Sequence, residues 1–104
     1  MRETARILLD PDAAALAPTA VELDTLTRTA RGHLEVLGPE VERLASRLPE
    51  QSIPRYCALA CVGEARGKLR AEATPTPGGA LVYARKLARV LTALCDHHET
   101  LSQS

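Results

Sequence analysis

Large aromatic side chains and long apolar runs are scarce in this chain of 104 residues. It has two tyrosines and no phenylalanine or tryptophan, so few rings are available for stacking on nucleic-acid bases. No stretch reaches the roughly 18 to 20 apolar residues of a membrane-spanning helix. The start of the chain lacks the apolar core of a signal peptide, which takes roughly 7 to 15 residues. We therefore expect a cytoplasmic protein that binds neither nucleic acid nor membrane.

Cysteine is also infrequent, with only three residues, Cys57, Cys61 and Cys95. An odd count without regular spacing does not suit a disulfide-linked secreted scaffold, so reduced thiols are expected. The formal net charge is zero, from 13 basic and 13 acidic side chains. The basic excess lies in residues 53–104, where it forms a basic face or is neutralised by the acidic half of the chain.

What the chain does contain is apolar residues at helical spacing. They recur every three or four positions over residues 23–48, which predicts one long helix. Thr19 opens a capping box, so this helix should begin near Ala20. Because the pattern continues across Gly38-Pro39, a kinked helix is expected there instead of two separate helices.

Two more helices are predicted beyond residue 52. The first should cover about residues 54–72, and its small side chains, which allow close approach of a neighbour, predict the central helix of a bundle. The sequence ATPTPGG that follows is predicted to be a loop. Thr76 would then cap the last helix, with Pro77 as its first residue and an end near Leu101.

The predicted fold is all-α, an antiparallel three-helix bundle (up-down-up) with a short N-terminal helical arm. Residues 1–18 would form the arm, partly disordered and with a short helix after Asp10-Pro11. Residues 19–104 would form a single helical-bundle domain. Because a core of leucine, alanine and valine has limited area to bury, we expect two copies to pair into a larger bundle, as a homodimer.

The residues best suited to chemistry lie on the last two predicted helices. Cys57 and Cys61 are four apart on one helix, and Cys95 and His98 are three apart on the next, so an antiparallel hairpin would bring the pairs together. Three thiols and an imidazole are a ligand set for zinc. The spacing lacks the Cys-x-x-Cys pairs typical of structural zinc sites, and small cysteines more often pack in the core. No metal site is therefore predicted.

A catalytic role for these residues has less support. Cys57 near a helix start and His98 level with it could form a nucleophile and base, but no third group orients them. Glu64 and Arg66 are either surface residues or the lining of a pocket between the two helices. No catalytic residue and no cofactor are predicted. The sequence GEARG is not a glycine-rich phosphate loop, because it lacks the flanking strand and the spacing. The candidate ligand-binding residues are Cys57, Cys61, Glu64, Arg66, Cys95 and His98.

Three segments carry a resemblance to a known family. They are RGHLEVLGPEVERLASRLP at 31–49, CALACVGEARGKL at 57–69 and ARKLARVLTALCDHHETL at 84–101. The chain resembles a family of short actinobacterial proteins of unknown function that carry the label "natural product biosynthesis protein". The resemblance implies an all-helical, cytoplasmic protein encoded near specialised-metabolite or regulatory genes. It transfers no catalytic residue.

The expected function is that of a non-catalytic helical interaction or accessory protein associated with natural-product biosynthesis or its regulation. Its partner would be a protein or a small molecule. The alternative is a small-molecule-binding or enzymatic bundle with a pocket between the last two helices. A packed core with the candidate side chains apart favours the first function, and an apolar cavity of about 300 Å³ with convergent polar groups favours the second.

Overall fold

Helices make up the regular structure of residues 1–10 and 18–103, which are the residues that a computed structural model describes. None of these residues is in a strand, so the predicted all-α class is confirmed. No helix within these two ranges is long and apolar enough to cross a lipid bilayer. The helices are α1 (Arg2–Leu9), α2 (Ala20–Ala45), α3 (Ile53–Arg70) and α4 (Gly79–Ser102).

Helix α2 begins where the sequence predicts. The Thr19 hydroxyl accepts a hydrogen bond from the Glu22 amide at 3.1 Å and satisfies one of the free donors at the helix start. Pro39 lies inside the helix, so the apolar residues on both sides of it belong to one element, as predicted. Their burial against the core offsets the roughly 3 kcal/mol that an internal proline costs.

The start of α4 differs from the prediction. Gly78, with a φ of 79°, is the N-cap residue, and the helix begins at Gly79 instead of Pro77. Thr76 is not the cap, because it belongs to the preceding turn, where its carbonyl accepts from the Gly79 amide at 2.9 Å. Glycine explains the position of the boundary. A left-handed backbone is inexpensive without a Cβ, and a Cβ at Gly79 would lie 2.2 Å from the carbonyl oxygen of Thr74.

Helix α1 occupies a region in which the sequence predicts partial disorder. Ala5 and Leu8 are buried, and the helix packs mainly on α4. A helix of eight residues is not stable alone, so its formation depends on this tertiary contact. The short helix predicted after Asp10-Pro11 lies outside the described residues.

Helices α2 and α4 form the centre of the fold. They share the most extensive contact, each also contacts both other helices, and α1 and α3 do not approach each other within the described ranges. The prediction that α3 is the central helix is therefore wrong. Helix α3 contributes only four buried residues, whereas α4 contributes nine. The buried residues of α3 are Ala58, Cys61, Val62 and Ala65.

Hydrogen bonds between helices give their relative directions. Arg31 of α2 donates to the Leu69 carbonyl near the end of α3, and Arg55 at the start of α3 donates to the Leu48 carbonyl just beyond α2. These two helices are therefore antiparallel. Arg31 also reaches Tyr83 near the start of α4, and α4 then continues along α2 in the same direction.

The core is apolar, and no polar or charged residue is buried among the residues described. Leucine supplies the largest share of its volume, with valine and alanine between. The largest fully buried side chains are Leu8, Leu34, Leu87, Leu91, Leu94, Val41 and Val62.

Candidate functional site

The three cysteines lie in different surroundings. Cys57 is exposed and Cys61 is buried, although both are on α3, and Cys95 is half-buried on α4. Across residues 1–10 and 18–103, no group of three or more histidine, cysteine, aspartate or glutamate side chains is placed to hold a metal ion. A zinc site would need the two predicted pairs of ligands, one on α3 and one on α4, to meet. They do not meet within these residues.

Two of the thiols are in environments that favour the protonated form. Burial, with a smaller contribution from the charge of Glu64, raises the pKa of Cys61 to about 11. Burial also raises the pKa of Cys95, although the nearby Arg2 opposes it. Because the thiolate is the nucleophile, both side chains are poorly suited to nucleophilic catalysis at neutral pH.

Glu64 and Arg66 also separate, although they are two residues apart. Arg66 forms an ion pair with Glu42 of α2, which joins a basic residue of the second half of the chain to an acidic residue of the first. Its side chain also lines a small cleft of about 190 Å³ between α2 and α3. Glu64 is exposed on α3. Arg66 thus lies between α2 and α3, not in a pocket between α3 and α4.

Cys95 and His98 are the two candidates that share a cleft, which we call the Cys95 cleft. It has a volume of about 560 Å³ and lies between α4, α2 and the start of α1. Val36 and Glu40 contribute to its α2 wall. Arg43, and more weakly His98, lower the pKa of the Glu40 carboxyl. The sequence predicts such a pocket between α3 and α4, whereas the observed cleft lies between α4, α2 and the start of α1.

A second cleft, which we call the Arg31 cleft, lies where α2 meets the end of α3 and the start of α4. Its volume is about 490 Å³. The apolar part of its wall consists of Ala20, Leu23, Leu69, Ala71, Ala73 and Ala80. The polar part consists of Asp24, Thr27, Arg31, Arg70, Glu72 and Tyr83.

Arg31 and Tyr83 connect three helices at this cleft. The Arg31 guanidinium donates to the Tyr83 hydroxyl and, at 2.7 Å, to the Leu69 carbonyl. The Tyr83 hydroxyl lies 2.8 Å from the Lys68 carbonyl and 3.0 Å from the Ala71 carbonyl, and its single proton is donated to one of them at a time. These carbonyls are at the end of α3, where a helix has free acceptors and a partial negative charge. The pair therefore caps α3.

Neither residue of this pair is among the candidates predicted from the sequence. Tyr83 lies four positions before Leu87 on the apolar face of α4, and this spacing could have identified it as buried. Arg31 follows the buried Ala30, a position from which a long side chain reaches polar partners over an apolar surface. Their pairing had no local signal, because the two residues are 52 positions apart.

Helix α3 carries a second apolar stripe, which faces solvent. Ile53 and Tyr56 are 75% and 74% exposed, and the next positions on this side, Cys57, Ala60 and Gly63, are exposed as well. Their spacing of three or four residues places them along one helical face, which we call the outer face of α3. A Cβ at Gly63 would meet no atom within 4 Å. These small residues would allow another helix to pack closely, but no other part of the described chain packs against Gly63.

With these helices and clefts, the chain is a small all-α protein over its described residues. It belongs to DUF6415, a family of unknown function whose family model matches residues 1–103. No curated protein and no solved structure matches the chain. Membership of a family of unknown function is thus confirmed, and the actinobacterial origin and the natural-product label stay predictions.

Proposed function

We propose that this protein is a non-catalytic accessory protein that binds another protein chain through the outer face of α3. The observation that carries the proposal is the row of exposed apolar side chains that begins with Ile53 and Tyr56. Single exposed apolar residues are normal, but a contiguous apolar row on a small protein is typical of an interaction surface. Covering this row with a partner removes it from water.

The non-catalytic part of the proposal is supported by the scattered positions of the candidate side chains. The buried Cys61 and half-buried Cys95 are held as thiols, and Arg66 is paired with Glu42. The role in actinobacterial natural-product biosynthesis or its regulation, and the location in the cytoplasm, are supported by the resemblance of the three segments. The Cys95 cleft, with His98 in its wall, stays a candidate ligand site within this proposal.

The test compares affinity capture by three forms of the tagged full chain in an actinobacterial host. The wild type and the control Val21→Glu, which is altered at an exposed position of α2, should retain the same protein. A co-expressed untagged copy of this chain would count as that protein. The double variant Ile53→Glu, Tyr56→Glu should lose it while keeping its helicity by circular dichroism. Equal retention by both variants, or recovery of one metabolite and no protein, would contradict the proposal.

A second candidate function, binding of a small molecule, is favoured by the Arg31 cleft. Its volume of about 490 Å³ lies within the range of roughly 300 to 1,000 Å³ usual for ligand pockets. Arg31 is half-buried beside an apolar wall. Within the described residues, two of its five N–H groups donate to protein acceptors, the Tyr83 hydroxyl and the Leu69 carbonyl. This combination suits an apolar molecule that carries an anionic or hydrogen-bond-accepting group.

Anilinonaphthalene sulfonate, an apolar anion whose fluorescence rises when it leaves water, is a suitable probe for this second function. Its fluorescence should rise with the wild type and with the control Arg89→Gln, at an exposed position of α4 outside the cleft. It should fall to the level of free dye with Arg31→Gln. If Arg31→Gln retains helicity and still enhances the fluorescence fully, the cleft is not the binding site.

A further inference from the structure

We infer that the outer face of α3 pairs with the same face of a second copy of this chain, antiparallel and centred on Ala60. The inference rests on the proposed function, in which this face binds a protein chain, and names that chain. In a two-fold contact, a residue a given number of positions before the centre faces the residue the same number of positions after it. The pattern of side chains on α3 can therefore be tested for self-complementarity.

The sizes of the side chains are complementary about this centre. Ile53, the most exposed large hydrophobic residue of α3, is seven positions before Ala60 and faces the partner's Gly67. Cys57 faces the partner's Gly63 in the same way. A Cβ at Gly63 or Gly67 would meet no atom within 4 Å, so both positions have open space for the facing side chain. At the centre, Ala60 faces its own copy, which permits close approach of the two helices.

The charges also favour the antiparallel direction. Glu64 is the charged residue along the middle of the outer face, and it lies four positions after Ala60, where it faces the partner's Tyr56. Its carboxylate can accept a hydrogen bond from that hydroxyl. A parallel pair would instead place two Glu64 carboxylates together, which is unfavourable.

The first experiment tests the centre of the contact by cross-linking. In a Cys57→Ser, Cys95→Ser background, Ala60→Cys places one thiol of each chain beside the two-fold axis. A disulfide needs Cα atoms roughly 4.4 to 6.8 Å apart, so mild oxidation should give a covalent dimer on a non-reducing gel. Val21→Cys in the same background is the matched control, because this position is also exposed but lies on α2. It should stay monomeric.

The second experiment tests the register. Gly63→Cys should form a covalent dimer when the native Cys57 is present, because the two positions face each other across the axis. The same variant with Cys57→Ser should give at least about fivefold less covalent dimer, because the partner thiol has been removed. Equal cross-linking of the two forms would overturn the proposed register.

The third experiment measures association of the unmodified chain by sedimentation velocity over about 1 to 200 µM. The wild type should dimerise, and Ile53→Glu should weaken dimerisation by at least about tenfold, because it places a carboxylate in the apolar contact. Val82→Glu, at an exposed position of α4, should dimerise as the wild type does.

A monomeric wild type without cross-linking at Ala60 would overturn self-pairing. The proposed function would still stand if Ile53→Glu with Tyr56→Glu then loses a captured protein, because the outer face would bind a different chain. If the double variant still retains both a second copy of this chain and any other captured protein as the wild type does, both proposals are wrong.

Discussion

Replacement of Tyr83 by phenylalanine removes the hydroxyl that joins three helices and leaves the ring in place. Tyr83 is 8% exposed, and its hydroxyl accepts from Arg31 and donates to a carbonyl at the end of α3. One hydrogen bond contributes about 1 kcal/mol net, and a buried group left without a partner costs about 1 to 3 kcal/mol. Arg31 retains its bond to Leu69, and Ala71 is exposed enough for water to replace the hydroxyl. We therefore expect a loss of about 1.5 kcal/mol.

Thermal unfolding followed by circular dichroism measures this loss. For a domain of this size, 1 kcal/mol corresponds to a change in Tm of about 4 to 8 °C, so Tyr83→Phe should lower the Tm by about 6 to 12 °C. The matched control is Tyr56→Phe, at an exposed position, which should change the free energy of unfolding by less than about 0.5 kcal/mol. Both variants should be measured at low protein concentration, where association does not contribute.

A double-mutant cycle distinguishes the hydroxyl from the ring. Arg31→Met combined with Tyr83→Phe should cost less than the sum of the two single changes, because each change removes the same hydrogen bond. Equal Tm values for Tyr83→Phe and Tyr56→Phe, or strict additivity with Arg31→Met, would refute the conclusion that this pair caps α3.

Three other perturbations test the core, a loop and a thiol. Leu91→Ala, at a fully buried position, should lower the free energy of unfolding in urea by about 3 kcal/mol, and Val36→Ala, at an exposed one, by less than about 0.5 kcal/mol. Gly78→Ala should cost about 1 to 2 kcal/mol by the same titration, because its φ of 79° is strained for other residues; a larger loss with Thr76→Ala would contradict the assigned helix start. In a variant whose only cysteine is Cys61, the rate of reaction with an aromatic disulfide reagent should rise about tenfold per pH unit up to about pH 10. The reason is that its pKa is raised from 9.0 to about 11, and a plateau below about pH 9 would contradict this assignment.

Much of the fold follows from local sequence signals. The spacing of apolar residues and the Thr19 cap define α2, because both act within one or two helical turns. The buried residues of α3 also recur at helical spacing, every three or four positions. Helix α1 could not be predicted on this basis, because Leu8 is buried by α4, and the hydrogen bond from Arg85 to the Leu8 carbonyl joins residues 77 positions apart. Such a contact between distant residues cannot be inferred from the spacing of apolar residues near either of them.

The candidate site was less predictable than the fold. Spacing correctly places Cys95 and His98 on one side of α4, where they line the same cleft. It does not determine how α4 is rotated about its axis, which depends on the packing of its leucines against α2. That rotation turns Cys95 toward α1 and α2, away from Cys57 on the exposed side of α3. Whether thiols on α3 and α4 meet therefore depends on tertiary packing, which their spacing in the sequence does not determine.

The parallel arrangement of α2 and α4 has a kinetic consequence. The two helices at the centre are not consecutive, so the chain must turn back through α3 before they can meet, and the pair Arg31 and Tyr83 closes a loop of 52 positions. Closing such a loop costs entropy before the leucine contacts compensate for it. We therefore expect folding of this chain to be slower than that of a helical bundle built only from neighbouring hairpins.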